Sequence, residues 1–482
     1  MTLTGTITVI GAGIAGLSCA FDLARAGNDV RVFDAAKAPG GMMRTVRRDG
    51  FQFEEGPNSI PGSATGFLEL CKDAGVTDRL VRSTPSAKTR FLFHRGGLHA
   101  LPMSPGALLK TPLLSFPSKL KLATESWRRW RPQATEPDPT FDSFVTERFG
   151  HQVARRFGAS FVRGIYASES TELGTASAFP RLWDMVQQHG GVLRGMKAKR
   201  HAQRAQAGTH GTNRVGPNPT DLVSLDGGLG ELSNALAASL GDRVSLGTPV
   251  ESLSAAPSGG WQIRVAGEAL ESTHVVLAVS APSAGRLLQG ANIEGIDWAP
   301  LQAVEHASVT VVSLGFGHDF LPNGFGFLVP PDAQGEGAAP KALGILFVSK
   351  MFAGRTPPGA CAISAVYRLG DTREPHEPGK HGDDDLVRLV TDDLRIAMPS
   401  KVIPGPSTVY VRRWPDAIPR YAPGHRARMD ALLGETASRC PGLHLIGNFT
   451  AGVSIDDRIR AGRACAQSLA AQSLASATGG AA

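Results

Sequence analysis

No run of about 18 or more apolar residues occurs in this 482-residue chain, so no membrane-spanning helix is expected. The N-terminus shows no basic stretch and no small-residue cleavage site before it enters "TITVI", so no secretory signal is expected. The five cysteines, Cys19, Cys71, Cys361, Cys440 and Cys465, are scattered and form no C-x-x-C pair. That excludes a disulfide frame and a zinc ribbon, and reads as reduced thiols of a cytoplasmic protein. The 13 histidines form no ligand set, so no metal is expected, and His94, His99 and His425 read as structural or surface residues. No internal repeat occurs. With 42% hydrophobic and 19% charged residues the chain is globular, and its length calls for two or three domains. The net charge of +7 is compatible with solubility, an anionic membrane or an acidic substrate. No recognition motif accompanies it, so nucleic-acid binding is not expected.

What is present begins at Val9, with "VIGAGIAGLSCAFDLARAGNDVRVFDAAKAPGG". An apolar strand runs into Gly11, Ala12, Gly13, Ile14, Ala15 and Gly16, and Leu17, Ala20, Phe21 and Leu23 follow at helical spacing. Gly27 closes the helix, and "DVRVFDA" reads as a second strand. In this motif Gly11 permits the tight turn, Gly13 lets a pyrophosphate approach, and Gly16 lets helix and strand pack closely. Asp34, about 20 residues beyond the turn, is placed for a ribose hydroxyl pair. Dinucleotide binding is the expectation. "APGGMMRT" then argues for FAD over NAD, because it resembles the G-G-R-x-x-T stretch of the flavin amine oxidase superfamily. Met42 replaces the first arginine, while Arg44 and Thr45 remain.

Further along, Gly50–Ile60 reads as a strand into a Gly-Pro turn, and Thr89–Pro102 as a hairpin. Residues 115 to 195 are mostly helical by pattern, and Ser224–Leu253 gives a loop, a helix and a strand. Four β-rich runs between about 306 and 370 suggest an antiparallel sheet walling a cavity. Leu443–Gln472 reads as strand, turn and helix, returning the chain to its first domain. The Ala/Gly/Ser tail after about Ser473 is expected to be disordered. The fold class is therefore α/β and α+β. It has a discontinuous Rossmann-type nucleotide domain (1–60, 220–300, 405–482), an antiparallel-sheet substrate domain (61–88, 301–404) and a mostly helical domain (89–219).

"FEEGPNSI", "FVRGIYASESTELGTASAFPRLW", "VRRWPDAIPRYAPGH" and "GNFTAGVSIDDRIRAGR" together resemble the porphyrinogen oxidases, the protoporphyrinogen and flavin-type coproporphyrinogen oxidases. "SLDGGLGEL" and "LHALP" support the match. The resemblance implies non-covalent FAD and a six-electron oxidation of a porphyrinogen in three hydride transfers to flavin N5, with oxygen or a quinone as acceptor. It implies no catalytic side chain, because the flavin carries the chemistry and the protein orients. It places Gly11 to Gly16 and Asp34 on the ADP part. Met42, Arg44, Gly56, Pro57, Asn58 and Ser59 fall near the flavin and its ribityl chain, and Val250 against adenine. Trp414 and Asn448 flank the ring, and Val453, Ser454 and Ile455 close its pyrimidine end. For substrate it implies Phe325, Leu328 and Leu346 as a clamp, with Gly164 beside a methylene bridge and Arg163 next to it.

Arg368 is expected either to pair with a propionate or to face solvent. The arginine that many family members carry a few residues after "LHALP" is missing, and the first basic residue there is Lys110. Protoporphyrinogen IX is the expected substrate. The alternatives are coproporphyrinogen III, or another superfamily reaction such as carotene desaturation or amine oxidation. An amine oxidase would need a lysine near the flavin, for which Lys341 and Lys350 are the candidates. A flavin-binding docking protein without turnover is a further class. Asp456 and Asp457 read as caps of the last helix. "SKLKLATESWRRWRP" and the basic run Arg194 to Arg204 suit an interfacial helix on anionic lipid, so peripheral membrane contact and a homodimer are both left open.

Overall fold

The computed structural model describes residues 5–127, 138–209, 221–257, 259–291, 293, 295–368 and 382–479. Its first layer is a five-stranded parallel sheet in the order Val244–Leu246, Val30–Asp34, Ile7–Ile10, His274–Leu277, Leu443–Leu445. These strands are short and apolar because both faces are covered. The alternation along His274–Leu277 shows this. Val276 joins one core with Leu17, Leu70, Leu232 and Ile459, while Val275 and Leu277 join another with Trp261, Ile263 and Leu288. The first core packs the helices Ile14–Arg25, Gly230–Leu240 and Ile455–Gly479. The second lies under an antiparallel sheet of Val250–Ala255, Trp261–Val265 and Glu268–Ser272. Sequence segments from the start, middle and end thus share one sheet, as expected.

A seven-stranded sheet runs in the order Thr408–Pro419, His306–Phe316, Cys361–Tyr367, Gly344–Leu346, Gly326–Leu328, Phe91–His94, Gly97–Ala100. It is antiparallel except where Gly326–Leu328 pairs parallel with Phe91–His94. Three of its strands lie outside the 301–404 segment expected to form this sheet. The hairpin of Phe91–His94 and Gly97–Ala100 adds an edge. The stretch "TVYVRRWPDAIP" is a strand at the opposite edge, where Pro415 has no ladder to break. Residues 61–88 do not join this sheet. Phe67, Leu70, Cys71 and Val76 pack into the core of the parallel sheet.

The described residues between 116 and 209 are mostly helical, as expected, around a core of Phe141, Phe144, Val162, Tyr166 and Val186. In the tryptophan-rich basic segment Trp127 is 80% exposed, while Arg128, Arg129, Trp130, Arg131 and Pro132 lie outside the described residues. The expected disorder after Ser473 is corrected: the last helix continues to Gly479. No described helix is long and apolar enough to cross a membrane. All five cysteines are free and buried.

Candidate functional site

The glycine turn after the first strand is built by steric exclusion. Gly11 sits at φ +112°, and a Cβ there would lie 2.6 Å from the Ala278 carbonyl oxygen. A Cβ on Gly16 would lie 2.0 Å from the Gly11 oxygen, so that position serves close packing. Gly13 is different, because a Cβ there would meet nothing within 4 Å. The open space lies at the N-terminus of the helix Ile14–Arg25, where unpaired N–H groups suit a phosphate. Asp34 is fixed by two amides: Ala12 N–H donates to Oδ2 at 2.6 Å and Ala36 N–H to Oδ1 at 2.7 Å. Each oxygen retains a lone pair for a ribose hydroxyl. Gly40 and Gly41, both at positive φ, fold the second loop onto the first, with Gly40 N–H donating to Ala12 O at 2.8 Å. Together these segments close a cavity of about 760 Å³, lined by Gly11, Gly13, Ile14, Ala15, Asp34, Met42, Val250, Trp414 and Asn448 among others. Ala12 and Gly16 support its wall from behind.

This cavity adjoins a second, of about 1000 Å³ and largely apolar. Met42, Trp414, Ala417, Asn448 and Arg458 line both. Trp414 is held by three acts. Its Nε1–H donates to Glu55 O at 2.7 Å, the Arg412 guanidinium lies 4.0 Å from its ring centroid, and Arg44 lies 5.2 Å away. Glu55 ties both arginines, at 3.4 Å and 3.3 Å. Arg44 therefore lines neither cavity. It stacks on Trp414 and donates to Gly41 O at 2.9 Å, two groups that line the nucleotide cavity. Gly56, Pro57, Asn58, Ser59, Val453, Ser454 and Ile455 all line the apolar cavity and not the nucleotide one.

Of the residues expected to hold substrate, Gly164, Phe325, Leu328 and Leu346 line the apolar cavity. A Cβ on Gly164 would lie 2.9 Å from Leu328 Cδ2, so the glycine lets the two walls approach. Arg163 and Arg368 line neither cavity. Both converge on Glu169 Oε1, at 3.4 Å and 3.7 Å, and the Arg368 side chain is only 11% exposed. Arg368 is thus engaged by a protein carboxylate and neither faces solvent nor reaches the cavity.

The cations that do line the apolar cavity are Arg90, Arg181 and Arg458, none of them singled out by sequence. Arg181 pairs with Asp457 at 2.9 Å. Arg90 lies over the Phe325 ring at 5.1 Å, and among the described residues no carboxylate comes within 4.0 Å of it. Its signal was its place directly before the strand Phe91–His94. Asp456 and Asp457 occupy the first turn of the last helix, but the cap is Ser454, whose hydroxyl oxygen accepts from Asp457 N–H at 3.1 Å. Asp456 is spent on Phe67 N–H and on Arg460, each at 2.9 Å. No lysine lines either cavity among the described residues, and Lys350 pairs instead with Asp319. No described His, Cys, Asp and Glu cluster suits a metal. His425, whose Nε2 lies 2.8 Å from Phe449 O, has its pKa lowered by burial and acts as an internal brace.

A dinucleotide cradle opening through one aromatic side chain onto an apolar chamber defines a flavoprotein oxidoreductase. The chain belongs to the family of flavin containing amine oxidoreductases, whose pattern matches residues 14–470. It is 32% identical to human protoporphyrinogen oxidase over 96% of this chain and 98% of that one. It is 29% identical to the coproporphyrinogen III oxidase of Propionibacterium freudenreichii, over 97% and 91%. In fold it is similar to a solved structure from Exiguobacterium sp. 255-15, provisionally described as a protoporphyrinogen oxidase. The TM-score is 0.78 at 21% identity, covering 97% of this chain and 99% of that one.

The cofactor is FAD, and the cradle fits it. The space in front of Gly13 admits a pyrophosphate, Asp34 presents carboxylate oxygens to ribose, and the far end abuts the apolar cavity. FAD bound there supplies a two-electron acceptor at the chamber wall. The chain's own residues bind, orient and exclude water.

Proposed function

We propose that the protein oxidises protoporphyrinogen IX to protoporphyrin IX, with oxygen as the final acceptor. Six electrons and six protons leave the substrate in three two-electron steps, and three O₂ take them up as three H₂O₂. The observation that carries this reading is the apolar chamber. It is walled by Phe325, Leu328, Leu346 and Gly164 and shares Met42 and Trp414 with the nucleotide cradle. A slot of that kind orients a macrocycle against a redox ring and asks no proton transfer of a side chain. The names of the curated relatives support the substrate class. Arg90, stacked on Phe325 and free of any carboxylate within 4.0 Å among the described residues, is the cation for a propionate.

The test gives FAD-loaded protein either protoporphyrinogen IX or coproporphyrinogen III. Bleaching of the flavin is followed under nitrogen, and porphyrin fluorescence in air. Fast bleaching and fluorescence with protoporphyrinogen IX are expected. Preference for coproporphyrinogen III would move the substrate by two carboxylates, and no bleaching with either would reject the reading. Arg90→Ala should raise KM for the preferred porphyrinogen with kcat little changed.

We also propose that the protein rests peripherally on the cytoplasmic face of an anionic membrane. Met103, Leu109, Phe116, Leu120 and Trp127 are exposed beside Lys110, Lys119 and Lys121, the composition of a surface that enters a lipid interface. Phe161 and Ile165 are both exposed and line the apolar chamber, which suits entry of a hydrophobic substrate from that surface.

A further inference from the structure

Arg458 lies in the first turn of the last helix, four residues past Ser454, and lines both cavities. One Nη–H donates to Val453 O at 2.6 Å. Its Nε is buried with no hydrogen-bond partner. Among the described residues no carboxylate comes within 4.0 Å of the guanidinium. The adjacent Asp457 and Tyr421 favour its charge from a distance, but the Asp457 carboxylate accepts from Ser454 at 2.6 Å and pairs with Arg181 at 2.9 Å. Burial pulls the Arg458 pKa down, yet a guanidinium stays charged at neutral pH. A half-buried cation whose Nε–H is buried without an acceptor is costly unless something meets it. The protein leaves that place to whatever occupies the junction.

The nucleotide cavity has two ends. Its phosphate and ribose end is set by Gly13 and Asp34, and its other end is the junction wall of Met42, Trp414, Asn448 and Arg458. The redox ring must reach that wall to meet anything in the apolar chamber. We propose that Arg458 supplies the positive charge that faces the redox ring of bound FAD, favouring its reduced form over its oxidised form. Taking two electrons and one proton leaves the ring with one net negative charge, and a nearby guanidinium in a dry site stabilises that charge more than it stabilises the neutral oxidised ring. The inference concerns the cofactor alone and holds whichever substrate fills the chamber.

The test compares wild type with Arg458→Gln, which removes the charge, and Arg458→Lys, which keeps it. For each, the affinities for oxidised FAD and for dithionite-reduced FAD are measured anaerobically on apoprotein, with FAD in excess. Their ratio reports the shift in potential even where both affinities weaken. Arg458→Gln should lower the preference for reduced FAD by tenfold or more, equivalent to a fall of about 30 mV for a two-electron couple. Arg458→Lys should remain closer to wild type than to the glutamine variant. An unchanged ratio in Arg458→Gln overturns the proposal. If KM for substrate then rises, Arg458 is a carboxylate ligand of the substrate instead. If KM is also unchanged, it is only a brace on Val453.

Discussion

Gly13→Asp separates holding the cofactor from holding the fold. Gly13 is the N-cap of the helix Ile14–Arg25, with φ −70° and ψ 171°, a backbone conformation open to any residue. A Cβ there meets nothing within 4 Å. Aspartate is a better N-cap than glycine by only a few tenths of a kcal/mol, so the apoprotein should melt within about 1 °C of wild type. The same carboxylate would stand in the space in front of the cradle. At about 4 Å from a phosphate charge, with an effective dielectric near 20, the repulsion is about 4 kcal/mol, or roughly a thousand-fold in Kd. The control is Gly16→Ala, whose Cβ would lie 2.0 Å from a backbone oxygen. Overpacking there costs roughly 1–3 kcal/mol and lowers the melting temperature of the apoprotein itself. Flavin absorbance after gel filtration and apoprotein melting curves decide the matter. Wild-type FAD occupancy in Gly13→Asp, or an apoprotein as unstable as Gly16→Ala, would refute the reasoning.

The remaining predictions concern stability, the chamber and the surface. Burial pushes the Glu54 carboxyl from 4.5 up to about 7, although it accepts from Thr45 and from Leu229 N–H. The folded chain then holds a proton that the unfolded chain has already lost. Stability should therefore fall as pH rises from about 4.5 to 7 and stay level above, by on the order of 3 kcal/mol. Glu54→Gln should flatten that slope in melting curves taken across the window, and an unchanged slope would remove Glu54 as its source. Gly164→Val should cut porphyrinogen turnover while FAD content stays at the wild-type level, because the new side chain meets Leu328 inside the chamber. Loss of flavin would show that the two cavities are not independent. Phe116→Glu combined with Trp127→Glu should abolish sedimentation with vesicles containing phosphatidylserine and leave melting unchanged, since both side chains are exposed. Binding equal to wild type would remove this surface as the contact.

The glycine turn was legible in the sequence because its constraints are local. Gly11, Gly13 and Gly16 act through backbone distances fixed within one strand–turn–helix unit, and Asp34 ends the next strand. The four β-rich runs were legible for the same reason. What was hidden depends on partners far along the chain. The partners of Arg44, Glu55 and the Trp414 ring, could not be read from its motif. Arg163 was placed beside Gly164, and Arg368 either on a propionate or in solvent, yet both meet Glu169, which no spacing rule connects to them. The strand Thr408–Pro419 was obscured by Pro415, whose tolerance is a property of its edge position. Arg90 gave only a faint signal, its place directly before the strand Phe91–His94, and Arg458 gave none. A lone arginine is distinguished from its many exposed counterparts only by what surrounds it.

The parallel sheet has a consequence for how the protein is made. The cradle takes Gly11 and Gly13 from the beginning of the chain, and Asn448 and Arg458 from near its end. The last strand, Leu443–Leu445, docks beside His274–Leu277 at the sheet's edge. Because a ribosome delivers the N-terminus first, the glycine turn emerges long before the wall that completes it. A nascent chain therefore has no finished place for FAD until Asn448 and Arg458 have emerged. Free FAD then stabilises only finished molecules by mass action. Chains interrupted before the last helix gain nothing from it, which makes the vitamin supply a checkpoint on completed synthesis.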